Sequence, residues 1–467
     1  MSTSTTDVPA SAGPAESTRK ERVGWYFYDW ANSAFSTTVI SVFLGPYLTS
    51  IAEKAAGCAD ECTDDQKLSL LGIPITPGSL FAYTVSLSVL LQVVVLPVAG
   101  AIADRTRRKK ELLALFAYIG SGATIGLLFL TGDRWLLGAS LFLVANVAFG
   151  ASIVVYNSFL PQLAKPDDRD TVSSIGWATG YIGGGLLLLL NLLVIIMGGD
   201  DADKAEIARW SIVSAGVWWA AFTTLPLLTL RNREPVSGEH HGHVLVDGFR
   251  QLWATLKNLR SYPLSLFFLI AFLVYNDGIQ TVITMASVYA DQQLGLDQSV
   301  QLQTILLVQF LAFGGALLLG RIAKKFGAWK TVLLSLVLWT LVVGAAFFLP
   351  AKLGDEQPAP NAAVLFMLLG VFLGIVLGGS QALSRSLFSQ LIPKGKEGEY
   401  FGLYEISDKG TSWLGPLLFG LAYQMTNNYR VAILSLVSFF IIGFFALLAI
   451  PMRRAIIAAG NEPPHVL

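Results

Sequence analysis

The sequence predicts an all-α membrane protein, with about twelve transmembrane helices arranged as two pseudo-symmetric six-helix bundles. Three observations predict it. Hydrophobic residues make up 54% of the chain, charged residues only 14%, and mean hydropathy is +0.59, whereas a soluble protein carries about 25% charged residues to solvate its surface. Stretches of the length that crosses a bilayer, about 20 mostly apolar residues, recur along the whole chain. Basic residues crowd into alternate loops. The net charge of zero gives no sign of nucleic-acid binding.

The expected spans are 24–50, 79–103, 111–131, 135–160, 171–198, 207–230, 262–290, 299–320, 331–350, 361–385, 400–426 and 430–451. Spans 1, 7 and 11 are the least uniformly apolar. Residues 1–22 read as a disordered cytoplasmic tail, because they are small, polar and Ser/Thr/Pro-rich. They do not read as a cleaved signal peptide, since the apolar stretch from Val23 to Ile51 is too long and carries Asp29 and Asn32. The expected organisation is then a six-helix bundle over 23–231, a central loop over 232–261, a second bundle over 262–452 and a tail over 453–467.

Charge sets the orientation. Of the 32 Lys and Arg residues, 23 fall in the termini and the loops on their side, 7 fall on the opposite side, and Arg385 and Lys409 lie inside spans. By the positive-inside rule the 23-residue side is cytoplasmic, with both termini there. A short-looped carrier of this kind is expected in the cell (inner) membrane, with a vacuolar membrane as the eukaryotic alternative. A monomer is expected. The opposite loops are acidic, and the first holds Cys58 and Cys62, the only cysteines. Outside the cytoplasm the pair reads as a disulfide in preference to two free thiols or a metal site.

In the central loop, Phe249 to Leu259 has the pattern of a short interfacial helix, with Trp253 toward lipid and Lys257 toward water. His240, His241 and His243 lack a surrounding carboxylate or thiol framework, so a solvated loop is expected and no metal.

The two halves repeat. Gly100-Ala-Ile-Ala103-Asp104-Arg105 after span 2 is echoed by Gly320-Arg-Ile-Ala323-Lys324-Lys325 after span 8, with Pro161-Gln162-Leu163 and Ser389-Gln390-Leu391 as a second echo after spans 4 and 10. Internal repeats in register with a six-plus-six layout are a mark of transporters.

The loop from Gly100 to Lys110 resembles the signature loop between helices 2 and 3 of the major facilitator superfamily. Arg107 stands where that signature has a glycine, and the second-half copy keeps Gly327 but lacks the Asp. More specifically, several segments resemble the vacuole-effluxer (autophagy-related amino-acid effluxer) family of that superfamily. These are Tyr28-Asp29-Trp30-Ala31-Asn32-Ser33, Tyr275-Asn276-Asp277-Gly278, Gln381-Ala-Leu-Ser384-Arg385-Ser386, and Phe401-Gly402-Leu-Tyr404 through Trp413-Leu-Gly415-Pro416. The resemblance implies the major facilitator fold, an alternating-access carrier, and amino acids as substrates.

By the same analogy Gly100 lets helices approach closely, and Asp104 sits against the positive N-terminal end of helix 11 as a latch. Arg105 and Arg108 hold the cytoplasmic face; the plainer alternative is a basic loop that only fixes topology. Asp277 stands mid-span between Tyr275, Asn276 and Gly278. A carboxylate there fits proton coupling or binding of a substrate amine, or else a structural pair with Arg385 or Lys409. Asp29 fits either the cavity or an interfacial carboxylate close to Arg22, and Asn32 shares its face. Arg385, with Gln381 one turn earlier, fits a substrate carboxylate, but pairing with Glu405 or Asp408 as a cytoplasmic gate is preferred. Tyr156, Asn157, Trp177 and Tyr181 read as packing aromatics and neighbours before cavity lining. Gly183-Gly184-Gly185 reads as close helix packing or a flexible point and not as a phosphate cradle.

No Gly-rich loop ending in Lys-Ser/Thr, no HExxH and no GxSxG occurs, so neither ATP hydrolysis nor an intramembrane enzyme is expected, and no cofactor. The function expected is secondary transport of a small solute, proton-coupled, with lipid, protons and solute as the partners. Drug efflux, sugar transport and a non-transporting receptor are the alternatives.

Overall fold

A computed structural model describes residues 17–58, 66–70, 72–198, 203–235, 261–352, 357–409 and 414–467. Thr18 sets the first helix. Its hydroxyl accepts from the Glu21 N–H while the Glu21 carboxylate accepts from the Thr18 N–H, which satisfies donors that a helix start leaves open. Helix α1 therefore runs Arg19–Ala56 and begins inside the stretch expected to be a disordered tail. Its middle, Phe35–Phe43, is wound as a π-helix.

The helices that follow are α2 Leu80–Arg105, α3 Lys109–Gly126, α4 Trp135–Asn157, α5 Arg169–Gly198 and α6 Lys204–Thr229. The second half contains α7 Pro263–Gln292, α8 Gln298–Phe326, α9 Ala328–Ala346, α10 Ala362–Gln390, α11 Glu397–Lys409, α12 Leu414–Thr426, α13 Tyr429–Leu448 and α14 Met452–Ala458. Between α1 and α2 a small antiparallel hairpin pairs β1 Leu68–Leu70 with β2 Ile73–Ile75. Among the described residues, eleven helices are long and apolar enough to cross a membrane. The remaining expected span, 400–426, is occupied by α11 and α12 on either side of 410–413, which lie outside the described residues together with Trp413.

Helix pairing repeats between the halves. In the first, α1 packs on α5 and α6, α4 on α2 and α3, and α3 on α6; in the second, α7 packs on α11 and α13, α10 on α8 and α9, and α9 on α13. Each contact recurs six spans later. Buried apolar side chains correspondingly form two main clusters, one drawn from Trp25 to Leu230 and the other from Phe268 to Ile456. The outward faces carry exposed apolar side chains such as Leu90, Met197, Phe348 and Phe445, as a surface facing hydrocarbon requires.

The halves meet along α2 against α11 and α5 against α8, with α5 also touching α10. Small residues permit these crossings. A Cβ on Gly100 of α2 would overlap the main chain of Gly398 in α11, and a Cβ on Gly320 of α8 would overlap Ser174 of α5. The two glycines of the sequence repeat thus stand at the two equivalent crossings. Within the first half, Gly183 and Gly184 of α5 press on Trp30, Ser33 and Thr37 of α1.

The start of the central loop is fastened to the first half. Asn232 accepts from the Lys110 N–H at 3.0 Å and donates to Glu111 at 2.7 Å, while Arg233 meets the buried Glu21 at 3.0 Å. The histidine trio and the expected helix from Phe249 to Leu259 lie outside the described residues.

Candidate functional site

Polar side chains converge on the seam between the halves, on the side where the basic loops lie. Arg385, only 2% exposed, reaches from α10 across the seam into the first half. Its guanidinium donates to Asp29 Oδ2 at 3.3 Å, Asn157 Oδ1 at 3.2 Å, Ser173 Oγ at 2.9 Å and the Ser173 carbonyl at 2.9 Å. The rings of Trp25, Trp177 and Tyr156 surround it, with centroids at 4.9, 5.3 and 5.6 Å. Such faces attract a desolvated cation. The Tyr156 hydroxyl donates to Asp29 Oδ2 at 2.6 Å, and its ring stacks on Trp25 at 4.4 Å. A buried ion pair is maintained only when additional hydrogen bonds compensate for lost water, and here the amide, hydroxyls and carbonyl supply them.

Two expectations are corrected by this arrangement. Arg385 does not pair with Glu405 or Asp408. Asn157 intervenes, accepting from Arg385 and donating through Nδ2 to Glu405 Oε1 at 2.9 Å. Asp29 is no interfacial partner of Arg22, whose Nε instead donates to Ser17 Oγ at 3.1 Å. Ten residues into a helix that rises about 1.5 Å per residue, Asp29 sits well below the surface. Asn32 turns back on its own helix and donates to the Tyr28 carbonyl at 2.9 Å.

A second group lies within the other half. Asn276 donates to Asp408 Oδ1 at 2.8 Å and to its carbonyl at 3.1 Å, and accepts from Gln381 Nε2 at 2.9 Å. Tyr275 shares a 2.7 Å hydrogen bond with Ser384. Asp277 is 1% exposed, and among the described residues its carboxylate meets no charged side chain and faces the Gly415 main chain, while the Thr281 hydroxyl one turn on has no hydrogen-bond partner there. The structural pairing of Asp277 with Arg385 or Lys409 is therefore not found. Lys409 donates to Gln92 Oε1 at 3.3 Å and lies 5.0 Å from the Phe149 ring centroid.

At the α2–α11 crossing, Asp104 Oδ1 accepts from the Gly398 N–H at 2.7 Å and Oδ2 from the Glu399 N–H at 3.0 Å. These are the second and third residues of α11, where open N–H groups and the helix dipole favour an anion. Arg105 is half-buried and Arg108 is exposed at the start of α3. The basic side chain that does turn inward nearby is Lys109, which is buried and donates to the Ser158 carbonyl at 3.3 Å.

Several seam residues were counted in the sequence only for topology or not at all. Arg169 donates to the Ser389 carbonyl at 2.8 Å, Asp170 accepts from Ser386, and Ser173 donates to the Ala382 carbonyl at 2.7 Å. The one available signal was an adjacent Arg-Asp pair opening an apolar span. Cys58 is disulfide-bonded; Cys62 lies outside the described residues. No cluster of metal-ligating side chains occurs among the described residues.

The model of the vacuole effluxer Atg22-like family matches residues 17–460, nearly the whole chain. The chain belongs to that family. Family relatives include an uncharacterized MFS-type transporter, YxiO, of Bacillus subtilis, 29% identical over 92% of this chain and 95% of the relative. Autophagy-related protein 22 of Kluyveromyces lactis is 26% identical over 95% of each. Among solved structures, the proton:xylose symporter XylE superposes with a TM-score of 0.65 at 12% identity, covering 92% of this chain and 94% of that one. The human organic anion transporter MFSD10 gives 0.63 at 15% identity, covering 92% and 99%. At these identities the likeness concerns the fold alone. This family member is a multi-pass, all-α transporter of the major facilitator superfamily.

Proposed function

We propose that the protein moves a small zwitterionic solute, of the amino-acid class, by alternating access. The observation that carries the reading is the Asp29–Arg385 pair, buried across the seam between halves and 3.3 Å long. A solute bearing a carboxylate and an ammonium can exchange for that pair, its carboxylate on the Arg385 fork and its ammonium on Asp29. Exchange of partners avoids leaving either charge unpaired in a low-dielectric site, so opening and closing stay linked to occupancy. Family membership supports the same class of solute.

Asp277 is the proposed coupling site. Its carboxylate is buried within α7 and has no charged partner among the described residues, and ionisable groups so placed in a span mark proton or solute pathways. The clustering of positive charge supports cytoplasmic termini and a cell-membrane location.

The test is counterflow of labelled leucine in proteoliposomes, with an amino-acid competition panel. Saturable exchange that amino acids compete for is expected, abolished in Arg385→Ala. Asp277→Asn is expected to keep exchange and to lose pH-driven accumulation. Exchange that survives Arg385→Ala, or that sugars or apolar drugs displace and amino acids do not, would overturn the solute assignment.

A further inference from the structure

We propose that residues 461–467 form a strap that clasps the two halves together over the basic end of the seam and must let go before that face opens. The proposal rests on the alternating-access reading. The family match ends at residue 460, so the strap lies outside the segment shared with the family model.

The strap is held by the second half at both ends and touches the first half between them. Its base, α14, is rooted in the second half through buried Met452, Ala455 and Ile456. Beyond it, Asn461 Nδ2 donates to two main-chain carbonyls at the end of α10, Gln390 at 2.9 Å and Ile392 at 2.7 Å. Four residues on, His465 reaches the first half. Its N–H donates to Asp167 Oδ1 at 2.7 Å, and its Nδ1 lies 2.6 Å from Asp167 Oδ2. The chain then returns to the second half, where Leu467 packs against its core and its main chain presses on Gly327.

The place it crosses is itself a contact between halves. Asp167 belongs to the short turn between α4 and α5, and in that same turn the Pro166 carbonyl accepts from Gln390 Nε2 at 2.9 Å. Asn461 holds the Gln390 carbonyl while His465 holds the neighbour of Pro166. The strap therefore spans the joint it covers.

Its length sets the constraint. Four residues reach at most about 14 Å when fully extended. The intervening Glu462-Pro463-Pro464 is already confined to extended backbone, so little slack remains. Separation of the turn from the end of α10 must break one anchor. The His465 side chain is 90% exposed and that of Asp167 48%, whereas Asn461 makes two bonds in a half-buried position, so release falls at His465. The strap then acts as a brake on opening toward the basic side, independent of the solute.

The experiment uses full-length protein carrying spin labels on unnatural amino acids at positions 168 and 394, one on each side of the joint, with distances measured by pulsed electron resonance. Wild type is expected to show mainly the short, closed distance. His465→Ala, which removes the ring contact but keeps the main-chain N–H, Asp167→Ala, which removes both acceptors, and truncation after Gly460 should each raise the long-distance population several-fold, and adding His465→Ala to Asp167→Ala should raise it no further. His465 is a surface residue, so its variant keeps the test valid should truncation unfold the protein. Distance distributions matching wild type in His465→Ala and Asp167→Ala would overturn the strap while leaving alternating access in place. Absence of any long distance in every variant, with and without amino acids, would remove both.

Discussion

Arg385 shows how much one side chain decides at the residue scale. It joins α10 to α1, α4 and α5 through four hydrogen bonds and three aromatic faces. Removing one member of a buried pair leaves the other charge without compensation, at a cost of about 3–5 kcal/mol. Arg385→Ala should therefore lower the thermal stability of the detergent-solubilised protein markedly. The double variant Asp29→Asn/Arg385→Gln should regain a large part of that loss, because no unpaired charge remains, yet should stay inactive in exchange. A double variant no more stable than Arg385→Ala would show that the pair is not coupled. Asn157 is the second decisive residue, since its amide faces Arg385 on one side and Glu405 on the other. Asn157→Leu offers neither bond and should slow exchange more than it weakens competition by amino acids, a split readable from counterflow kinetics.

At the scale of elements, the crossing of α2 and α11 combines shape with charge. Gly100 and Gly398 touch main chain to main chain, and Asp104 caps the start of α11. Gly100→Val should prevent close approach, and the labels at positions 168 and 394 should report a larger open population. Asp104→Asn keeps the shape but weakens the charge term, worth up to about 2 kcal/mol in a partly buried helix-terminus geometry. It should shift the same population in the same direction by less. An unchanged distribution in both would mean that this crossing does not govern the seam. The repeat in the sequence finds its reason here: Gly320 serves the α8–α5 crossing as Gly100 serves the α2–α11 crossing. The second copy carries Lys324 where the first has Asp104, so the repeat keeps the glycine and not the carboxylate.

For the whole molecule, the hydrogen bonds between the two halves gather along the seam, from Gln92–Lys409 within α2 and α11 to His465–Asp167 at the basic end. A cross-link that spans this seam should trap one state. Pro166→Cys with Gln390→Cys, at a contact of 2.9 Å in the native protein, should lose exchange when bridged by a short thiol-reactive linker, whereas each single variant treated alike should retain it. Persistent exchange in the bridged protein would sink the rocking of one half against the other.

Hydropathy and the excess of basic residues in alternate loops were legible in the sequence because lipid constrains every residue of a span in the same way. The same holds for the six-plus-six repeat and for the family, since Tyr28–Ser33 and its companions are contiguous motifs. The start of α1 at Arg19 was missed because the capping box at Thr18 and Glu21 is local chemistry hidden in a polar, Ser/Thr-rich segment. The partner of Arg385 was missed for a different reason. Glu405 and Asp408 are nearer in sequence, but pairing follows which helix faces meet, and those faces are set by the small residues at the crossings. Arg169, Asp170 and Ser173 looked like one end of a span, and His465 like part of a tail, until the fold laid each against the opposite half. Sequence alone determined that the chain crosses a membrane many times, in two halves that echo each other, because the bilayer acts on composition and length. Only the tertiary structure decided which charge answers which, because buried charges take their partners from across a packed seam, where distance in space and not along the chain sets the energy.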